Sequence, residues 1–263
     1  RNTVLGYNAL SSEDTGSRNV AIGRGSLAVL NYNGNGYNTA VGYASGGAMT
    51  TGVNNTIIGG LAGDALTEGG NNVALGYTAL GSQTIGNTNV AIGDSAMATN
   101  VAADRNTAVG YEALFSMTSA STADNYNVAV GYNAGRAVTS GIENTLIGGL
   151  AGTALTTGSY NIAIGHKALF TEDAHGRNTA IGWKALQVLN AGADAYNTAM
   201  GFQAGSQVTT GTANTILGGL AGDALTTSSS NVVIGYEALS TEDTTGGVTA
   251  VGYQALKNQN ASS

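Results

Sequence analysis

Asn38-Thr39-Ala40-Val41-Gly42-Tyr43-Ala44-Ser45-Gly46 decides the architecture, because the chain repeats it from end to end. The pattern reads Asn, β-branched, small, aliphatic, Gly, aromatic or other, variable, Ala or Ser, then Leu or Gly. It begins at Asn2, Asn19, Asn38, Asn55, Asn72, Asn89, Asn106 and Asn127, and again at Asn144, Asn161, Asn178, Asn197, Asn214, Asn231 and Val248. That makes fifteen units, eleven of the intervals being 17 residues; the others are 19, 21 and 19, after Asn19, Asn106 and Asn178. Self-similarity at a fixed short period is the signature of a stacked repeat. Seventeen residues are too few for two helices and a turn, and Thr39 to Tyr43 alternates with period two, so each unit carries a strand.

One such unit cannot bury its own apolar face, whereas fifteen stacked coils share a core. The fold class that follows is all-β, a parallel β-solenoid or β-roll of 17-residue coils, read as a single repeat domain over 1–263. The fourth position is aliphatic in every unit (Val41, Val109 and Ile181 among them) and the second is Thr, Val or Ile. Residues two apart share a strand face, so these two columns are expected to point into the core. The fifth position is always Gly, as at Gly42, Gly110 and Gly182. A column of this kind implies a backbone turn that a Cβ would hinder, or a close-passing chain segment. The sixth to ninth residues are expected to form a second short strand, and the Asn column an amide ladder at a turn.

Three coils differ from the rest: at Asn55, Asn144 and Asn214 the third position becomes Ile57, Leu146 or Ile216, while the sixth becomes Gly60, Gly149 or Gly219. A gain in one column matched by a loss in another suggests a shared packing volume.

Composition removes several function classes. Nine Lys plus Arg against sixteen Asp plus Glu give a net charge of -7, so no basic surface exists for nucleic acid. Without Cys there is no disulfide framework or thiolate metal site, and no apolar run reaches the ~18 to 20 residues of a membrane helix. Membrane insertion, cofactors and metals are not expected. The acidic loops at Glu13-Asp14, Glu172-Asp173 and Glu242-Asp243 lack the nonapeptide of calcium-binding β-rolls and read as solvated turns. His166 and His175, the two histidines, do not match metal-ligand spacing. With no Ser-His-Asp set, nucleophile elbow or phosphate loop, catalysis is not expected. A Thr array for ice or mineral is set aside because the mixed second column reads as core-facing.

Units such as Asn38-Thr39-Ala40-Val41-Gly42-Tyr43 and Asn178-Thr179-Ala180-Ile181-Gly182-Trp183, followed by Ala-Leu in many coils, resemble the Asn-Thr-Ala-x-Gly-Tyr-x-Ala-Leu repeats of bacteriophage tail-fibre proteins. The Asn-Val-Ala-Ile-Gly core at Asn19 and Asn89 is similar to that of trimeric autotransporter adhesin heads, although the 17-residue coil is longer than theirs. The resemblance implies a homotrimeric virion fibre joined to other fibre segments and attaching to a host surface glycan or protein receptor. A cellular adhesin head or extracellular filament at the bacterial surface is the alternative. Regular surfaces offer equivalent weak patches, so recognition is expected at the three lengthened loops, 30–37, 115–126 and 189–196, the alternative being that these are longer turns that seal the gap between protomers. The candidate receptor-binding residues are Asn31, Tyr32, Asn33, Tyr37, Tyr126 and Tyr196, whose Tyr and Asn composition suits stacking on sugars and hydrogen bonding to them.

Overall fold

The computed structural model describes residues 1–118, 124–241 and 246–258. The chain forms two compact units, Arg1–Asn127 and Val128–Ser263. In the first, strands β1 (Thr3–Leu5), β2 (Val20–Ile22), β3 (Thr39–Val41), β4 (Thr56–Ile58), β5 (Val73–Leu75), β6 (Val90–Ile92) and β7 (Thr107–Val109) stack in chain order. The second holds β8 (Val128–Val130), β9 (Thr145–Ile147), β10 (Ile162–Ile164) and β11 (Thr179–Ile181), then β12 (Thr198–Met200), β13 (Thr215–Leu217), β14 (Val232–Ile234) and β15 (Thr249–Val251). Pairing is parallel and in register, Ala40 lying between Ala21 and Ile57. Each unit is therefore a β-solenoid, as the repeat predicts. No helix among the described residues is long and apolar enough to cross a membrane.

The coil is held by backbone bonds running both ways along the stack. In the coil at Asn38, Thr39 N donates to Asn55 O of the next coil (2.8 Å) and Gly42 N to Ile22 O of the previous one (2.8 Å). Ala44 N then donates back to Arg24 O (2.9 Å), and Gly46 N forward to Ala62 O (3.0 Å). The sixth to ninth residues are thus stacked turns, not the second strand expected. Positions seven and nine are left-handed, for example Ala44 (φ 51) and Leu27 (φ 49), which no strand tolerates, yet the turns keep inter-coil bonds in place of a sheet.

The direction of the strand faces corrects the sequence reading. In β2 to β15 the middle residue is buried, whereas the second- and fourth-position residues are half-buried or exposed. Val41, Val109 and Ile181 therefore lie on the outer face, and Leu75 (42% exposed) and Met200 (47%) are more open still. The core instead takes the third, eighth, ninth and twelfth positions, such as Ala108, Ala113, Leu114 and Met117. So narrow a coil takes Ala at the third position in most coils where Leu fills the ninth, and Val at Val233.

That trade also corrects the packing partner of Ile57. Gly63, at the ninth position of the same coil, would place a Cβ 3.3 Å from Ile57 Cδ1, and Gly46 one coil earlier would do the same. Gly152 sits likewise on Leu146 Cδ2 (2.8 Å), and Gly205 on Ile216 Cδ1 (2.8 Å). The volume exchanged is between positions three and nine across adjacent coils, and the sixth column has no part in it.

The Gly and Asn columns behave as expected. Gly42 and Gly182 have φ of +141° and +136°, and a Cβ there would lie 2.3 Å from Gly59 O and 2.2 Å from Gly201 O; Gly110 shares the conformation (φ 135). Each buried Asn links three coil segments: Asn38 Oδ1 accepts from Asn55 N (2.9 Å) and Asn55 Nδ2 (3.2 Å), while Asn38 Nδ2 donates to Gly52 O (2.8 Å). Val248 ends the ladder, its N still donating to Asn231 Oδ1 (2.9 Å).

Candidate functional site

The lengthened loops leave the coil after its twelfth position and rejoin it at the residue before the next Asn. That last position is left-handed, with φ of 50° at Tyr37, 52° at Tyr126 and 53° at Tyr196, so each phenol is turned outward and is about half exposed. Each tyrosine stacks on the arginine that holds the same position one coil earlier. Arg18 lies 5.3 Å from the Tyr37 ring centroid, Arg105 5.9 Å from Tyr126 and Arg177 5.7 Å from Tyr196. Arg18 also bonds the Tyr37 hydroxyl. Tyr160 takes the opposite side of Arg177, at 5.0 Å, so this guanidinium is sandwiched between two rings.

The loops also supply acids to these arginines. Asp124 pairs with Arg105 and accepts from the Tyr126 hydroxyl at Oδ2 (3.0 Å). Arg177 Nε donates to Asp194 Oδ2 (2.8 Å), and Gly176 N to Asp194 Oδ1 (3.0 Å). Those two donors hold the Asp194 carboxyl below the usual carboxylate range, the guanidinium being the larger cause. In the first loop Asn35 takes the acid's place, accepting from Ser17 Oγ (2.7 Å) within a bridge between Ser17 and Asn35.

Of the remaining candidates, Asn31 is exposed and its N is anchored to Thr50 O (2.9 Å). Asn33 is exposed and accepts from Thr15 Oγ1 (3.3 Å). Tyr32 is half-buried, its ring packed against Gly34. Tyr37 and Tyr126 make separate stations five coils apart in the first unit, and Tyr196 marks the corresponding station of the second. Residues 119–123 of the second loop lie outside the described residues.

Sequence reading missed the arginine partners, although Arg18-Asn19, Arg105-Asn106 and Arg177-Asn178 mark them in the coil preceding each long loop. It also misplaced one residue of the acidic turns, while Asp14 is exposed as expected. Glu172 occupies the core-facing twelfth position and is fully buried, where the solvated-turn reading expected exposure. Its Oε1 accepts from His175 N (3.2 Å) and faces His175 Nδ1 (3.3 Å), while Oε2 accepts from Ala191 N (3.4 Å) at the start of the long loop. Burial pushes the Glu172 carboxyl up, against the opposing pull of those amides and of His175. Glu13 closes the first long loop in the same way, accepting from Gly16 N (2.7 Å) and Tyr32 N (3.5 Å). Ligand-type atoms of Glu172, Asp173 and His175 lie within 4.8 Å of one another. Because Glu13 does the same work with Gly16 where His175 would stand, the carboxylate is a loop cap first. Glu242 and Asp243 lie outside the described residues.

The sixth-position rings form a second exposed column. Trp183 and Phe202 are stacked at 4.8 Å and 8°, and Tyr236 and Tyr253 at 5.9 Å and 11°. Where Arg24 stands between Tyr7 and Tyr43, an open depression of about 180 Å³ remains. No protein-family model, no curated protein and no solved structure matches the chain.

Proposed function

We propose that the chain is a structural and host-attachment segment of a phage tail fibre, assembled as a homotrimer through the outer face of its strands, and that it carries no catalytic step. One observation supports this reading above the others: the outward fourth column is aliphatic in every coil, and the second column beside it is Thr, Val or Ile. A sheet face turned to water alternates towards polar side chains. A charge-free aliphatic face on a chain of net charge -7 calls for a covering surface. A second and third copy, with the same repeat and the same face, supply one in register. The cellular adhesin reading shares this assembly and draws on the Asn-Val-Ala-Ile-Gly cores of β2 and β6. The outward second column removes the earlier reason for setting an ice-binding Thr array aside; the bulky aliphatic column beside it now favours protein contact instead.

Sedimentation tests the assembly. Wild-type chain is expected at trimer mass and Ile92→Asp with Ile164→Asp at monomer mass with its strand circular dichroism retained. A monomeric wild type at micromolar concentration overturns the proposal.

A further inference from the structure

Three positions in the exposed aromatic column are empty without any reason inside the chain. Gly60, Gly149 and Gly219 replace the ring in the coils at Asn55, Asn144 and Asn214. None of them has a positive φ, unlike the fifth-column glycines immediately before them. A Cβ would also be admitted: its nearest neighbours would be Tyr77 Cδ2 at 3.6 Å, His166 Cδ2 at 3.5 Å and Tyr236 Cδ2 at 3.5 Å, all ordinary contacts. The core exchange involving Ile57, Leu146 and Ile216 is completed at the ninth position, so it does not explain the loss at the sixth. Backbone and packing leave the residue free at these three places, and it is Gly each time.

The floor and walls of each gap are consistent. Leu61, Leu150 and Leu220 follow the three glycines, half-buried and left-handed (φ 57, 62 and 54). Each is fixed over the preceding coil by a bond from its N to the carbonyl of Tyr43, Tyr132 or Phe202 (2.8 Å in all three). The flanking rings are exposed, Tyr43 by 53%, Tyr132 by 57% and Phe202 by 53%, and sit two coils from the next ring. Two coils amount to about 9.6 Å. A flat ring held between two others at carbon contact distance needs roughly 7 to 8 Å, so one ring fits and two do not. The rim is polar in the second unit, where Asn133 and Lys167 flank Leu150 and Gln203 flanks Leu220; the Glu237 carboxylate on the other side of Leu220 is engaged by Gln254 and Lys257 of the following coil.

We infer that these gaps are saccharide subsites, each taking one neutral hexopyranose of a glycan between the flanking rings. Aromatic walls meet the C–H faces of the sugar, the Gly-Leu floor lets it approach the backbone, and in the second unit the side-chain polar groups of Asn133, Lys167 and Gln203 are placed for its hydroxyls. An apolar side chain from a second copy would leave that rim unused, which is why a sugar is the better occupant. The inference rests on the attachment-fibre reading, but locates recognition in the aromatic column and not in the long loops.

The test uses the full chain and saturation-transfer NMR with cellotetraose, chitotetraose and maltotetraose. Wild type is expected to transfer to at least one of them. The filled variant, Gly60→Tyr, Gly149→Tyr and Gly219→Tyr together, is expected to keep its melting temperature and trimer mass while binding weakens about tenfold or more. Phe202→Ala with Tyr132→Ala removes one wall from two gaps without filling them and is expected to lose binding in the same direction. Absence of transfer in wild type, or equal transfer in the filled variant, overturns the inference. Dissociation of the filled variant overturns it too, by showing that a second copy occupies the gaps. Wild-type mass, read separately, reports on the fibre proposal whichever way the sugar experiment falls.

Discussion

Leu27, Leu80 and Leu186 show what a residue tolerates when burial outweighs backbone strain. Each holds a φ near 50° and is fully buried. The left-handed region costs an L-residue about 1–2 kcal/mol, and burying Leu returns about 1.5–3 kcal/mol, so Leu persists there until Ile takes its space from the third position. The exchange predicts a double-mutant cycle. Ala74→Ile alone overpacks the coil and should cost about 1–3 kcal/mol, and Leu80→Gly alone leaves a void. The pair together should recover about 1–2 kcal/mol relative to the sum, measured by denaturant melts; strict additivity would show that the two positions do not share volume. The glycine column predicts a sharper contrast. At Gly182 a Cβ meets the Gly201 carbonyl at 2.2 Å, while Gly192, also at positive φ, has nothing within 4 Å. Gly182→Ala should therefore lower stability by more than about 3 kcal/mol and Gly192→Ala by about 1 kcal/mol. Similar melting of the two variants would mean that neighbouring coils separate at little cost.

Among the elements, the first and third long loops are tied in at both ends: a carboxylate, Glu13 or the buried Glu172, closes the first turn and an Arg–Tyr stack the last. Glu172 gives this a pH signature. Burial raises its folded pKa above the ordinary value, so folding favours the protonated form. The stability it contributes is fully present below the unfolded carboxyl pKa, and it is lost as pH rises through the raised folded value. Melting temperature should thus fall on going from mildly acidic to neutral pH, and Glu172→Gln should flatten that slope. A wild-type curve that rises across the same window, with no change in Glu172→Gln, would show that the amide donors and His175 outweigh burial. The Arg–Tyr stacks are exposed cation–π contacts, each of about 0.5–1 kcal/mol. They orient the loop ends and add little to stability.

At the scale of the whole molecule, two neighbouring residues separate folding from assembly. Ala91 is fully buried in its coil, whereas Ile92 faces outward. Ala91→Asp places a carboxylate in a dry core and should abolish the folded coil, since an unpaired buried charge costs several kcal/mol. Ile92→Asp should leave the coil folded and weaken self-association. Circular dichroism and sedimentation on the two variants distinguish them; unfolding of both, or of neither, would contradict the strand orientation. In a solenoid, each coil mainly contacts its neighbours, so the coil interior is settled locally and the outer face is left for other molecules.

The repeat, the parallel strand in every unit, the Gly column and the Asn ladder were legible in the residues, because a 17-residue period and a period-two alternation survive any packing detail. The sign of that alternation was not. Val41 and Ile181 outrank Ala40 and Ala180 in hydrophobicity, and in an isolated chain they would face inward; here a narrow coil, already filled from the eighth, ninth and twelfth positions, takes Ala at the third in most coils, with Val233 the largest buried there beside a ninth-position Leu. Glu172 was hidden for the same reason, since nothing local reveals that a Thr-Glu-Asp turn lies over a core column. The Tyr37, Tyr126 and Tyr196 loops were found by their irregular length, but their arginine partners lie 19, 21 and 19 residues earlier. Sequence spacing sets which residues occupy equivalent places in successive coils; only closure of the coil decides which of them meet, which point inward, and which are left facing outward.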